Sequence, residues 1–251
     1  MIAWREKWRA FAIHFLVTLL LALGAAAIIF GVWFPDPFDQ MIGGQELFLL
    51  VVGCDLVLGP LISLVIYDSR KSRGKLIFDY SVIGVVQLAA LAYGLWIVAG
   101  SRPVYVAFTR DRLEVVAAAD IKPTELAAAR DPRYRALPVT GPRYVSIVVP
   151  AADHNDALFQ SLEGNEEPAR PKFYAPYDAQ LPEIRERARK LDELEKRHPE
   201  ALVQLAAARA ETGLPETRLR WLPVRFHEVF WTVLIDAESA KPLAYFDLDP
   251  Y

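Results

Sequence analysis

Three long apolar stretches govern what this chain can fold into. Residues 11–33 run 23 positions with no charge and a single histidine, His14. Residues 47–67 run 21 positions with one charged side chain, Asp55, and residues 80–99 run 20 with none. At a rise of about 1.5 Å per residue, each reaches across a hydrocarbon layer roughly 30 Å thick. Backbone inside that layer must satisfy its own hydrogen bonds, so each stretch is predicted to be a transmembrane α-helix with the lipid bilayer as its partner. Trp33, Phe34, Tyr67, Tyr80 and Trp96 fall at or near the ends, where amphipathic rings favour the headgroup layer.

Short flanking segments set direction, because Lys and Arg are retained on the cytoplasmic side. Arg5, Lys7 and Arg9 precede the first span, and Arg70, Lys71, Arg73 and Lys75 separate the second from the third, whereas Pro35 to Glu46 holds neither residue type. The pattern predicts a cytoplasmic N-terminus and an extracytoplasmic C-terminal part. A competing reading takes residues 1–27 as a cleaved signal peptide, from the basic start, the apolar stretch and Ala25-Ala26-Ala27. Against it, the apolar run continues through Ile28-Ile29-Phe30 without the polar shift expected after a cleavage site.

Asp55 is the residue a bilayer makes expensive. A mid-membrane carboxylate costs about 2.5–3.5 kcal/mol on insertion scales, so it should be protonated, paired or turned toward protein. Helical rise places it near the depth of Tyr93 in the third span and Gly24 in the first, which predicts a hydrogen bond from the Tyr93 hydroxyl. Asp55 then either fastens the three helices together or contacts another protein's helix. Gly59-Pro60 predicts a kink in the second span, with Gln87 placed to satisfy a carbonyl freed there. His14 reads as an interfacial or hydrogen-bonded histidine. Small residues four apart, at Ala22/Ala26, Ala27/Gly31, Gly59/Ser63 and Ala90/Gly94, would let helices approach closely. An intramembrane aspartyl protease would need a second acid inside a span to share a proton, and none is there.

After Gly100 the pattern changes to short β-rich runs. Pro103–Phe108 and Leu113–Val116 read as a hairpin around Thr109–Arg112, and Tyr144–Val149, Arg218–Val224, Val229–Ile235 and Leu243–Leu248 as further strands. Helices are predicted over Thr124–Arg130, Asp156–Leu162, Pro182–Arg197 and Pro199–Thr212, with Pro199 and Gly213 where helix starts and stops tolerate them. Gly164–Pro182, with Pro168, Pro171, Pro176 and Pro182, reads as a long functional or mobile loop. An open sheet edge could accept a strand, although natural edges are usually blunted. The fold class is therefore a membrane protein, a three-helix transmembrane domain over residues 1–100 followed by an α+β extracytoplasmic domain with antiparallel strands over 101–251.

Composition excludes several functions. Residues 101–251 carry 21 Lys and Arg against 24 Asp and Glu, and the whole chain has net charge −3, so no basic excess attracts nucleic acid. The single cysteine, Cys54, rules out an internal disulfide. His154, His198 and His227 lack metal-ligand spacing, no nucleophile motif occurs and no glycine-rich loop follows a strand. Nothing here predicts a catalytic residue, a metal or a cofactor, and the chain reads as a binding protein rather than an enzyme. A membrane-anchored periplasmic sensor or small-ligand receptor, lidded by the Pro-rich loop, is the alternative.

A larger pattern joins these residues: Glu46-Leu47-Phe48-Leu49-Leu50, Gly53-Cys54-Asp55-Leu56-Val57-Leu58-Gly59-Pro60-Leu61, Phe78-Asp79, Gln87 through Gly94, and Ser101-Arg102-Pro103-Val104-Tyr105. It resembles the TfpX/TfpZ family of type IV pilin accessory proteins, best over about residues 30–120 and more loosely at Leu137–Arg143 and in the closing hairpin from Ile235 to Pro250. The resemblance implies a bacterial inner-membrane protein, its C-terminal domain periplasmic, that assists a cognate type IV major pilin as a chaperone-like or assembly factor. Asp55, Gly59, Pro60, Gln87, Tyr93, Arg102 and Pro103 occupy matching positions; the family brings no defined active site to them, and they are our candidate partner-binding residues.

Overall fold

The computed structural model describes residues 4–68 and 70–251. It divides into two compact units, Met1–Ser101 and Arg102–Tyr251.

The first unit is helical. Helix α1 (Trp4–Ile28) continues through a π-helical turn at Ile29–Trp33, a short α2 (Phe38–Ile42) follows, and α3 (Gly44–Ile66) and α4 (Arg73–Ser101) complete the unit. Three of these helices are long and apolar enough to cross a membrane. They overrun the apolar stretches, α1 beginning at Trp4 and α4 at Arg73, because Arg, Lys and Glu are good helix formers and carry a helix past the hydrocarbon. α1 runs unbroken through Ala27 and Ile28, and α3 continues through Pro60.

Each long helix turns one stripe inward at the i, i+3, i+4 spacing of a buried helical face. On α1 the stripe is His14, Thr18, Ala22, Ala25 and Ile29, on α3 Val52, Asp55, Gly59 and Ser63, and on α4 Tyr80, Ile83, Gln87, Leu91, Gly94 and Val98. α3 packs against both α1 and α4. Two glycines permit the closest approaches: a Cβ on Gly94 would collide with the Val51 side chain, and one on Gly59 with the Gln87 amide. Of the other small residues, Ala22 and Ser63 are buried, whereas Ala27 and Gly31 are exposed. At one end of the bundle Ile29, Phe34 and Val98 form an apolar cluster joined by Phe30, Trp33, Ile42, Phe48 and Leu95.

The second unit is built on one seven-stranded sheet of order β4-β3-β1-β2-β5-β6-β7. Its strands are β1 (Pro103–Thr109), β2 (Arg112–Ala117), β3 (Arg143–Ile147), β4 (Tyr174–Pro176), β5 (Leu219–Phe226), β6 (Val229–Asp236) and β7 (Pro242–Phe246). The sheet is mixed, correcting the expectation of antiparallel strands throughout. The local hairpins β1–β2, β5–β6 and β6–β7 and the β3–β4 pair are antiparallel, but β1 pairs parallel with β3 and β2 parallel with β5. Parallel neighbours need a crossover, here supplied by α5 (Pro123–Ala127) before β3 and by α6 (His154–Leu162), α7 (Leu181–Arg187), α8 (Leu191–Arg197) and α9 (Leu202–Thr212) before β5.

Register assigns the two faces. Tyr105, Ala107, Val116, Val145 and Ile147 share one face with Trp221, Leu234 and Phe246. Its β3 side is covered by Tyr134, Ala157, Phe173 and Tyr174, and its β7 side by Leu191, Leu194, Leu205 and Ala208 from α8 and α9. On the other face lie Val106, Phe108, Leu113, Val115, Leu222, Val224, Val233 and Ile235, all buried. Tyr144 and Tyr245, also on this face, hydrogen-bond through their hydroxyls at 2.7 Å although their strands stand five places apart in the order. The sheet has therefore curled until its flanks meet.

Two further expectations are corrected. The Pro-rich segment is packed rather than a lid: it supplies edge strand β4, buries Phe173, Tyr174 and Arg170, and ties Tyr177 Oη to the Ala240 carbonyl at 2.9 Å. The helix predicted over Pro182–Arg197 is broken between α7 and α8. There Arg189 exchanges two 2.9 Å backbone hydrogen bonds with Trp221, whose indole N–H donates to the Lys190 carbonyl at 2.9 Å. Anchoring a buried indole outweighs the helical propensity of a charged run.

Candidate intramembrane site

The three inward stripes carry polar groups that meet. His14 Nδ1 lies 2.5 Å from Ser63 Oγ and Nε2 lies 2.8 Å from Gln87 Oε1, so one imidazole bridges α1, α3 and α4. The Gln87 amide then donates to the Asp55 carbonyl at 3.3 Å. That carbonyl is one residue before Leu56, whose usual i+4 donor is the missing N–H of Pro60, so Gln87 serves the segment the proline disturbs. Thr18 Oγ1 closes onto the His14 carbonyl at 3.0 Å. In hydrocarbon an unpaired polar group has no water to turn to, which makes such a chain of bonds a device for holding three helices in one register.

Beside the chain opens a cleft of about 180 Å³, lined by His14, Thr18, Ala22, Val52, Asp55, Gly84 and Gln87 together with leucines and a valine. Asp55 is half-buried there. Among the described residues no hydrogen bond or ion pair reaches its carboxylate. The hydrogen bond predicted from Tyr93 is not formed: Tyr93 is 63% exposed and stacks on Trp96 with ring centroids 5.9 Å apart. Azimuth decides the contact, and Tyr93 lies roughly 100–120° around α4 from Gly94 and Gln87.

The structure thus divides the seven residues singled out in sequence. Asp55 and Gln87 line the cleft, Gly59 makes room for the Gln87 amide, and Pro60 is buried within α3. Tyr93 faces outward. Arg102 and Pro103 belong to the second unit: Arg102 donates to the Pro138 carbonyl at 3.5 Å, and burial pulls its guanidinium below its ordinary value. Sequence reasoning missed Ser63 as a polar partner and Thr18 altogether. The four-residue spacing of His14 and Thr18 within an uncharged run was the available signal.

A second cavity, of about 400 Å³, lies in the sheet unit between β2, β5 and the start of the Pro-rich segment, with Glu114, Asp120, Glu166, Arg225 and His227 on its wall. These five side chains pair with one another or with Arg112. Glu114 accepts from Arg112 at 2.7 Å and Arg225 at 2.8 Å, Arg225 also reaches Glu166 at 2.5 Å, and His227 meets Asp120 at 3.2 Å. Among the described residues no Phe, Tyr or Trp lines it. Among the described residues no group of three or more His, Cys, Asp or Glu converges as a metal site would require.

Known proteins place the chain. A family model described as fimbrial assembly protein FimB matches residues 2–43. A fimbrial assembly protein of serogroup E1 from Dichelobacter nodosus is 32% identical over 181 residues, covering 71% of this chain and 70% of its own. The chain belongs to the fimbrial assembly protein family. A serogroup I member from the same organism is 28% identical over 237 residues, 94% of this chain and 88% of that one, so the family relationship spans both units. A third, of serogroups C1 and C2, is 37% identical over 117 residues, 47% of this chain and 89% of its own. No solved structure matches this fimbrial assembly protein family member.

Proposed function

We propose that the chain is an inner-membrane accessory factor of the TfpX/TfpZ kind, which assists a cognate type IV major pilin in a chaperone-like way during fimbrial assembly. It acts by receiving the pilin's membrane-spanning helix along the cleft between α1, α3 and α4, while the sheet unit attends to the pilin's head. The observation that carries this reading is the cleft itself, an apolar furrow among helices of spanning length with an unpartnered carboxylate on its wall. Family membership supports the assembly role. The distribution of Lys and Arg supports a cytoplasmic N-terminus and a periplasmic sheet unit. The sensor alternative lacks its supporting features, since the outer cavity is lined mostly by charges paired within the chain and the Pro-rich segment is packed.

Gly84 supplies the test. It lines the cleft and has open space where a Cβ would stand, so Gly84→Leu fills the furrow without disturbing the helix contacts. Cognate pilin should co-purify from membranes with the wild-type chain and fall to background with Gly84→Leu. Equal recovery from both would remove the cleft from the account, and an active green fluorescent protein fused behind Tyr251, with inactive alkaline phosphatase there, would invert the topology.

A further inference from the structure

We infer that the cleft is matched to a membrane-spanning helix bearing a positively charged side chain at mid-depth, and that Asp55 is its counter-ion. This rests on the reading of the cleft as a helix-binding furrow and adds the chemistry of what enters it. Asp55 is the central residue of α3 (Gly44–Ile66), farthest from both ends and so from the headgroup layers. A carboxylate at that depth should be protonated, paired or packed on protein. Among the described residues the chain supplies packing but no pair. His14 is bound to Ser63 and Gln87, Thr18 to the His14 carbonyl, and the Gln87 amide to the Asp55 backbone rather than its side chain. These side chains are thus bonded elsewhere, and the remaining wall is apolar.

A second copy of the chain does not fit this vacancy. Residues 11–33, 47–67 and 80–99 contain no Lys or Arg, and the only charge within them is Asp55 itself. A copy docking here would bring apolar surface or another carboxylate, leaving the electrostatic mismatch as it was. A helix with a central ammonium or guanidinium removes two desolvation costs at once, its own and that of Asp55, and an ion pair formed in low dielectric is far stronger than the same pair in water.

The probe is a synthetic helix of roughly 20–25 leucines and alanines, made with a central Lys, a central Leu or a central Glu. Each version is labelled and reconstituted with the full-length chain in phosphatidylcholine/phosphatidylglycerol vesicles, and association is read by energy transfer. The Lys helix should bind at least about tenfold more tightly than the Leu helix, the factor that 1.4 kcal/mol corresponds to, with the Glu helix weakest. Asp55→Asn, nearly the same size, should abolish the Lys preference, bringing the Lys helix down to the affinity of the Leu helix, and Glu46→Gln should preserve that preference. Equal binding of Lys and Leu helices, a Lys preference surviving in Asp55→Asn, or self-association that the Lys helix cannot displace would each overturn the inference. If the Lys preference holds but pilin recovery ignores Gly84→Leu, the pilin reading falls and the counter-ion role stands. If pilin recovery needs the cleft but ignores Asp55→Asn, the reverse follows.

Discussion

Gly59 and Gln87 should be energetically inseparable, with a sign that geometry fixes. Gln87 makes two hydrogen bonds across the bundle, to His14 at 2.8 Å and to the Asp55 carbonyl at 3.3 Å. Side-chain hydrogen bonds between membrane helices average about 0.6 kcal/mol, so Gln87→Ala should cost about 1–2 kcal/mol, including some lost packing. Gly59→Ala puts a methyl where the Gln87 amide lies. Overpacking of this kind costs about 1–3 kcal/mol, and here it also dislodges the amide from both of its hydrogen-bond partners. In the Gln87→Ala background the obstruction is gone, so Gly59→Ala should there be close to neutral. The double variant should therefore fall short of the sum of the singles by at least about 1 kcal/mol, against the roughly 0.3–0.5 kcal/mol expected of independent sites. Reversible unfolding of the purified protein in mixed micelles, followed by tryptophan fluorescence, measures all four corners. Additivity would refute the argument, because it would mean that the two side chains do not share space.

The Tyr144–Tyr245 bond across the curled sheet should behave as one shared interaction. Either Tyr→Phe change should cost about 1 kcal/mol by thermal unfolding, and the pair together little more than one alone, because removing both partners strands no hydroxyl. At Asp236, burial opposes ionisation, yet hydrogen bonds from Ser239, Arg218 and the Glu238 and Ser239 backbone outweigh it and hold the carboxyl below its ordinary value. A depressed folded value stabilises at neutral pH, and that stabilisation is lost as pH falls from about 4 through the lower folded value. Asp236→Asn should accordingly lower the unfolding temperature at pH 7 and narrow the gap from wild type toward pH 3. A gap constant with pH would show that the carboxylate's charge does not organise the β6–β7 turn.

What the sequence made legible follows the range of the interactions involved. Span number and placement could be read because apolar length is a local property with one physical meaning, and the hairpins because adjacent strands pair across short turns. Helix ends escaped, since Arg73 and Lys75 continue α4 as readily as leucine would. The parallel pairings escaped because β3 finds β1, and β5 finds β2, across long intervening sequence. The break at Ala188–Lys190 was hidden for a related reason: its cause, Trp221, lies far along the chain, while the local charge spacing reads as one helix. In the membrane unit the types were visible and the partners were not. His14, Asp55, Gln87 and Pro60 stood out as costly residues, but whether Asp55 met Tyr93 or nothing depended on a rotation about α4 that depth alone does not specify.

The rims of the sheet bear on how a chain of this family can live beside fibre subunits. One rim is the three-residue β4, ending in Pro176, and the other the five-residue β7, opening with Pro242. Neither offers a long run of free amides on which a second polypeptide could be templated. A fibre subunit held to this unit, as proposed above, would therefore be read through side chains rather than through an added strand.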